Sequence, residues 1–129
     1  MENASERRPG RSQLTGGGPE CPTGAAEVVG RFLTKLRPLL RQNSARSAWL
    51  FGSHARGTAA PESDIDVIVV ATTNRIPVER FRDYLPAILE AGVGVDLFVY
   101  TPEEFEQMRV EERPFFSHAM KSARTIHVG

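Results

Sequence analysis

Cysteine is nearly absent, net charge is absent, and no long apolar run occurs. Each absence closes off a class of function. The single cysteine, Cys21, rules out an intrachain disulfide framework and suits a reducing, cytoplasmic setting. Lys and Arg number 16 against 16 Asp and Glu, a formal net charge of +0. That balance lacks the basic surface which sequence-independent nucleic-acid binding needs, so no direct nucleic acid binding is expected. No apolar stretch approaches the roughly 18 residues of a membrane span. The first residues, MENASERRPGRSQ, lack the apolar core of a secretory signal. His54, His118 and His127 show no zinc-ligand spacing among themselves or with Cys21, and read as surface or packing residues. There is no GxxxxGK[ST] phosphate loop, and no Ser-His-Asp or Cys-His arrangement suggests itself.

What is present fits one domain with one modest core, in a chain of 129 residues. Residues 1–23 are rich in Gly, Pro, Ser and Arg without periodicity and read as a disordered tail; residues 24–129 form the domain. Ala25, Val28, Val29, Phe32, Leu33 and Leu36 fall at helical spacing, with Thr23 as N-cap and Pro38 expected to end or kink the helix. Ser47 to Phe51 reads as a strand, Thr58 to Ser63 as a loop, and Asp64 to Ala71 as a central strand, apolar on both faces. Val78, Phe81, Leu85, Ile88 and Leu89 predict a second amphipathic helix, opened by Pro77, kinked at Pro86 and closed by Gly92. Val93 to Tyr100 is a third strand. Thr101-Pro-Glu-Glu104 has the pattern of a helix capping box. A last helix is expected around Phe115 to Ala123, and an edge strand over Thr125 to Val128. Trp49, Phe105, Phe115 and Phe116 read as core or interface rather than base-stacking platforms. The fold class is α/β (α+β): a small mixed β-sheet of three to four strands flanked by helices.

One stretch breaks the apolar pattern. In FGSHARGTAAPESDID, residues 51–66, a Gly-Ser pair is followed after ten residues by Asp64 and Asp66. Two apart on a strand, both aspartates leave the same face. Asp96 lies in the next strong strand, and if the two strands are neighbours three carboxylates can meet. Like charges collected this way repel and are costly to bury unless something positive joins them. Oxygen ligands without His or Cys suit Mg²⁺ or Mn²⁺. Mg²⁺ takes one or two carboxylates and finds its remaining ligands in water and substrate phosphates, so the cluster points to a phosphate-bearing ligand. The competing reading is structural: Asp64 as a turn residue and Asp66 paired with Arg56. Gly52 lets backbone approach a phosphate closely, and Ser53 offers a hydroxyl. Arg56, three residues on, either holds a phosphate oxygen or bridges to a carboxylate.

Gly52-Ser53, ten residues, then Asp64-Ile65-Asp66 resembles the GS-x10-DxD signature of the DNA polymerase β-like nucleotidyltransferases. The string LFGSHARGTAAPESDIDVIV is similar to the minimal members, which are often paired with a HEPN-domain toxin in toxin–antitoxin modules. The resemblance runs from about Ala25 to the end of the chain. It implies a polymerase β-like fold, with Gly52, Ser53 and Arg56 binding the nucleotide. Asp64, Asp66 and Asp96 would be catalytic and would bind two Mg²⁺ ions, with Asp96 also the base for the incoming hydroxyl. It implies transfer of AMP from ATP to a protein hydroxyl, with a HEPN toxin as partner. The chain has no room for the acceptor-holding domain of larger relatives. Transfer to a small molecule such as an aminoglycoside, or neutralisation by binding alone, are the alternatives.

Overall fold

The computed structural model describes residues 24–129. Strand β1 is Ser47–Phe51, β2 Ile65–Val70, β3 Val95–Tyr100 and β4 Arg124–Val128. They form one mixed sheet in the order β3-β2-β1-β4. β1 runs antiparallel to both of its neighbours, while β2 and β3 are parallel. The expected small mixed sheet is present, and β4 is the edge strand its sequence predicts. Helices α1 (Ala25–Gln42), α2 (Ser53–Arg56), α3 (Leu85–Glu90), α4 (Pro102–Glu111) and α5 (Pro114–Lys121) surround it, with a 3₁₀ helix at Pro77–Tyr84.

Alternation along the strands divides the core in two. Ala48 and Leu50 of β1, Ile65, Val67 and Val69 of β2, and Val99 of β3 are buried against Val28, Phe32, Leu33, Leu36 and Leu40 of α1. The opposite face is a smaller cluster of Phe51, Ile68 and Ala119, packed by Trp49, Tyr100 and Phe105. Trp49 stacks on Phe105 with centroids 5.0 Å apart, and Phe116 meets Phe105 edge-on at 5.1 Å. These aromatic residues are packing, as the sequence suggests; the side chain of Phe115 lies outside the described residues.

Two expectations need correction. Pro38 does not end α1, which runs on to Gln42 with the proline inside it. A mid-helix proline costs roughly 3 kcal/mol. Leu36 and Leu40 flank it, both fully buried, and each contributes about 1.5–3 kcal/mol that breaking the helix would forfeit. The Thr23 cap lies outside the described residues, and Gly24 holds the N-cap position.

The second correction concerns residues 77–90. They form two helices rather than one kinked helix, with Pro86 in the first turn of α3. The tighter 3₁₀ winding, about three residues per turn, changes which side chains face inward. Val78 and Leu89 are 75% and 74% exposed, and Phe81 is also exposed, whereas Arg80, Tyr84 and Ala87 are buried. Tyr84 buries its ring deeply enough that its hydroxyl pKa is pushed up to about 12, chiefly by desolvation.

Arg80 is the buried charge no periodicity would flag. Its guanidinium donates to the carbonyl oxygens of Arg75 (3.2 Å) and Val99 (3.1 Å) and forks onto the Glu104 carboxylate at 2.6 and 3.2 Å. Glu104 completes the expected capping box of α4: its Oε1 accepts from the Thr101 amide (3.0 Å), and Thr101 Oγ1 accepts from the Glu104 amide (3.2 Å). The Arg80 hydrogen bond holds the Glu104 carboxyl below its ordinary range, so its stabilising contribution is present above that range and lost on acidification.

The pair is asymmetric, with side chains 8% exposed for Arg80 and 43% for Glu104. Removing Glu104 strands a buried cation, whereas removing Arg80 leaves a carboxylate that water reaches. Equilibrium urea unfolding at pH 7 is therefore expected to show a loss of about 3 kcal/mol for Glu104→Ala. Arg80→Met is expected to lose about 1–2 kcal/mol.

Candidate active site

The site lies on the less covered face of the sheet, where β1 ends and β2 and β3 begin. The parallel register pairs Asp66 with Asp96 and Ile65 with Val95. Asp66 and Asp96 therefore leave adjacent strands side by side on one face. Antiparallel pairing with β1 sets Phe51 opposite Asp66, so the chain turns at Gly52 immediately beside that carboxylate. The neighbour condition on which the sequence reading depended is met: β2 and β3 pair directly.

Two glycines make room for the acids. Gly52 has φ +75°, and a Cβ there would collide with Asp66 Oδ2. A Cβ on Gly94 would stand 2.5 Å from Asp64 Oδ1. Asp66 thus fills the space between Gly52 and Asp96, while Asp64, just ahead of β2, lies over Gly94. Sequence reasoning missed Gly94. A glycine at the head of an apolar strand pattern was the available signal for such a close approach.

After Gly52, α2 carries Ser53, His54 and Arg56 in a single turn, closed by Gly57 in the left-handed conformation. Ser53 is partly exposed and Arg56 exposed. Among the described residues no ion pair engages Arg56, Asp64, Asp66 or Asp96, so the Arg56–Asp66 salt bridge considered above is not formed. His54 is buried, and its Nε2 meets the Ser63 carbonyl oxygen at 3.1 Å.

The electrostatics follow from this crowding. Asp66 has its pKa raised from 3.8 to about 6. Desolvation is the largest cause, followed by the hydrogen bond and charge of Asp96, then the charge of Asp64; the His54 ring acts weakly the other way. A shared proton between two carboxyls relieves their repulsion. A divalent cation would do the same. Among the described residues no group of three or more His, Cys, Asp or Glu side chains is placed to hold a metal ion by itself. The arrangement fits an ion that takes one or two carboxylates and completes its shell with water and phosphate oxygens, the habit of Mg²⁺.

A raised carboxyl pKa makes the protonated form the more stable folded one, so Asp66 costs stability as pH rises through about 6. Asp66→Asn keeps the shape and removes that cost. In metal-free buffer at pH 7.5 the variant is expected to melt roughly 4 °C or more above the wild type, the scale of about 1 kcal/mol in a domain this size. The advantage should shrink below pH 6 and be gone near pH 4 in a thermal melt series. An unchanged difference across that range would contradict this account of Asp66.

Comparison with known proteins agrees with this geometry. A family model for the nucleotidyltransferase domain matches residues 33–117, well over half of the chain. A Methanocaldococcus jannaschii protein named "Putative protein adenylyltransferase" is 30% identical over 92 residues, covering 64% of this chain and 90% of that one. The crystal structure of a toxin–antitoxin with AMP-PNP superposes with a TM-score of 0.56 at 21% identity, covering 75% of this chain and 73% of that chain. A "putative minimal nucleotidyltransferase" superposes with a TM-score of 0.53 at 24% identity, covering 78% and 94%. The structural likenesses speak for the fold and the family match for descent: this chain belongs to the nucleotidyltransferase domain family.

Proposed function

We propose that the protein transfers AMP from ATP to a hydroxyl of a partner protein, and that the partner is a HEPN-type toxin which the modification silences. The carrying observation is the in-register placement of Asp66 beside Asp96 next to the Gly52–Ser53 turn. The relative named as a protein adenylyltransferase and the toxin–antitoxin structure with AMP-PNP support the acceptor class and the donor.

In this reading Gly52 and Ser53 hold the phosphates, the first by leaving its backbone bare and the second through its hydroxyl. Arg56, free of carboxylate partners among the described residues, supplies a positive fork to a phosphate oxygen. Asp64, Asp66 and Asp96 would hold Mg²⁺, which when bound offsets the charge of the triphosphate and lowers the pKa of the acceptor hydroxyl. Asp96 takes the hydroxyl proton. The acceptor oxygen then bonds to the α-phosphorus in line, the bond from that phosphorus to the bridging oxygen breaks, and pyrophosphate leaves.

A surface for a protein acceptor adjoins this site. Phe98, two residues along β3 from Asp96, lines a groove of about 710 Å³ with Val78, Phe81, Leu97 and Met108. Phe98 is 40% exposed and Val78 and Phe81 are also exposed, so covering them offers apolar contact area.

The test is incubation of purified protein with α-labelled ATP, Mg²⁺ and a HEPN-type toxin as partner. Label is expected on the toxin, and Asp64→Asn, Asp66→Asn and Asp96→Asn are each expected to reduce it at least about 100-fold. Chelation of divalent cations should abolish labelling and readdition of Mg²⁺ restore it. Toxin neutralisation that persists in all three variants would favour action by contact alone.

A further inference from the structure

The proposed reaction assigns no task to His54, although it is the buried polar side chain of α2. From the sequence it reads as a surface or packing residue between Ser53 and Ala55. The structure gives it a partner nine residues away, the carbonyl oxygen of Ser63, at 3.1 Å. A carbonyl can only accept, so Nε2 carries the hydrogen and donates it.

That bond joins two locally closed pieces of chain. On one side, Ala55 and Arg56 donate to the Gly52 carbonyl at 3.1 Å, and Thr58 donates to Ser53 at 3.0 Å. On the other, the Ser63 amide donates to the Ala60 carbonyl at 3.0 Å, and the Ala60 amide to Ser63 Oγ at 2.9 Å. Among the described residues, the His54–Ser63 contact is the hydrogen bond that ties the first piece to the second. The intervening Gly57, Thr58, Ala59 and Ala60 have small side chains, mostly exposed, that bury too little to hold the loop by packing. Ser63 in turn immediately precedes Asp64.

We propose that His54 is a positioning residue: it clamps the loop and thereby sets the span between α2 and Asp64, just ahead of β2, while strand pairing itself keeps Asp66 beside Gly52. What the span is for rests on the nucleotidyl-transfer reading; the clamp itself rests on the geometry. His54 acts through the Ser63 backbone and touches no reacting atom.

Two variants, compared with the wild type, test this. His54→Leu fills the space but has no donor, and His54→Gln keeps a donor at similar reach. Amide hydrogen exchange without nucleotide is expected to quicken about tenfold at residues 58–64 in His54→Leu, the scale of one lost hydrogen bond, with β2 amides unchanged. Affinity for a non-hydrolysable ATP analogue with Mg²⁺, measured by calorimetry, is expected to fall about tenfold in His54→Leu. His54→Gln should stay within about threefold of wild type in both measurements. Should His54→Leu not fold, His54→Gln and the shorter His54→Asn make the same comparison. Loop exchange unchanged in the donor-less variant, or a loosened loop with unchanged affinity, or no rescue by Gln, each overturns the proposal. A wild-type protein that binds no analogue overturns the nucleotidyl-transfer reading instead, and the exchange measurement still decides the clamp.

Discussion

The molecule depends on one register, the parallel pairing of β2 with β3 that sets Asp66 beside Asp96. Two unit charges about 5 Å apart on neighbouring strands repel by roughly 3 kcal/mol at an effective dielectric of about 20. The folded chain accepts that repulsion, which adds to the larger effect of desolvation in raising the pKa of Asp66. What enforces the register is the other face. Val67, Val69 and Val99 are buried against α1, and a one-residue slip of β3 would turn Leu97 and Val99 outward and drive Asp96 into the core. The apolar side of the sheet thus holds the charged side in place.

Much of this was legible in the sequence because it is local or periodic. The alternation of Asp64 to Ala71 gives a central strand with its faces correctly assigned, and Thr101 to Glu104 gives a capping box whose two hydrogen bonds both form. The spacing of Gly52-Ser53 from Asp64 and Asp66 marks the candidate site in the sequence. What escaped has long-range causes. Pro38 sits inside α1 because burial on either side outweighs its local cost. Val78 and Phe81 read as core residues on an α-helical period, but the chain there winds as a 3₁₀ helix and buries Arg80 instead. Nothing within a few residues of Arg80 announces that its partner is Glu104, twenty-four positions on. Gly94 and His54 were likewise silent, since their importance lies in what stands opposite them.

The two halves of the core also differ in what they leave open. The α1 side is closed by a long helix, whereas α4 and α5 cover the far side chiefly around Trp49, Ile68 and Ala119. The end bearing Asp66 and Asp96 is left accessible, and the transition from packed aromatics to charged carboxylates takes place within a few residues of β2 and β3. A rigid backbone next to an open surface suits groups that must be held in place while something larger arrives.

The sheet order also bears on how the chain assembles. β1 is an inner strand, yet its two neighbours come from very different places: β2 follows after a short loop, while β4 is Arg124–Val128, more than seventy residues on. During synthesis β1, β2 and β3 are available to pair before β4 has emerged. One flank of β1 therefore stays an open template, with amides and carbonyls unpaired beside an apolar face, until the C-terminal residues arrive. Late closure of this kind slows folding through its large loop entropy and exposes the nascent chain to intermolecular strand pairing. The hazard is confined to the interval before β4 docks, when the carboxylate-bearing strands are already able to form.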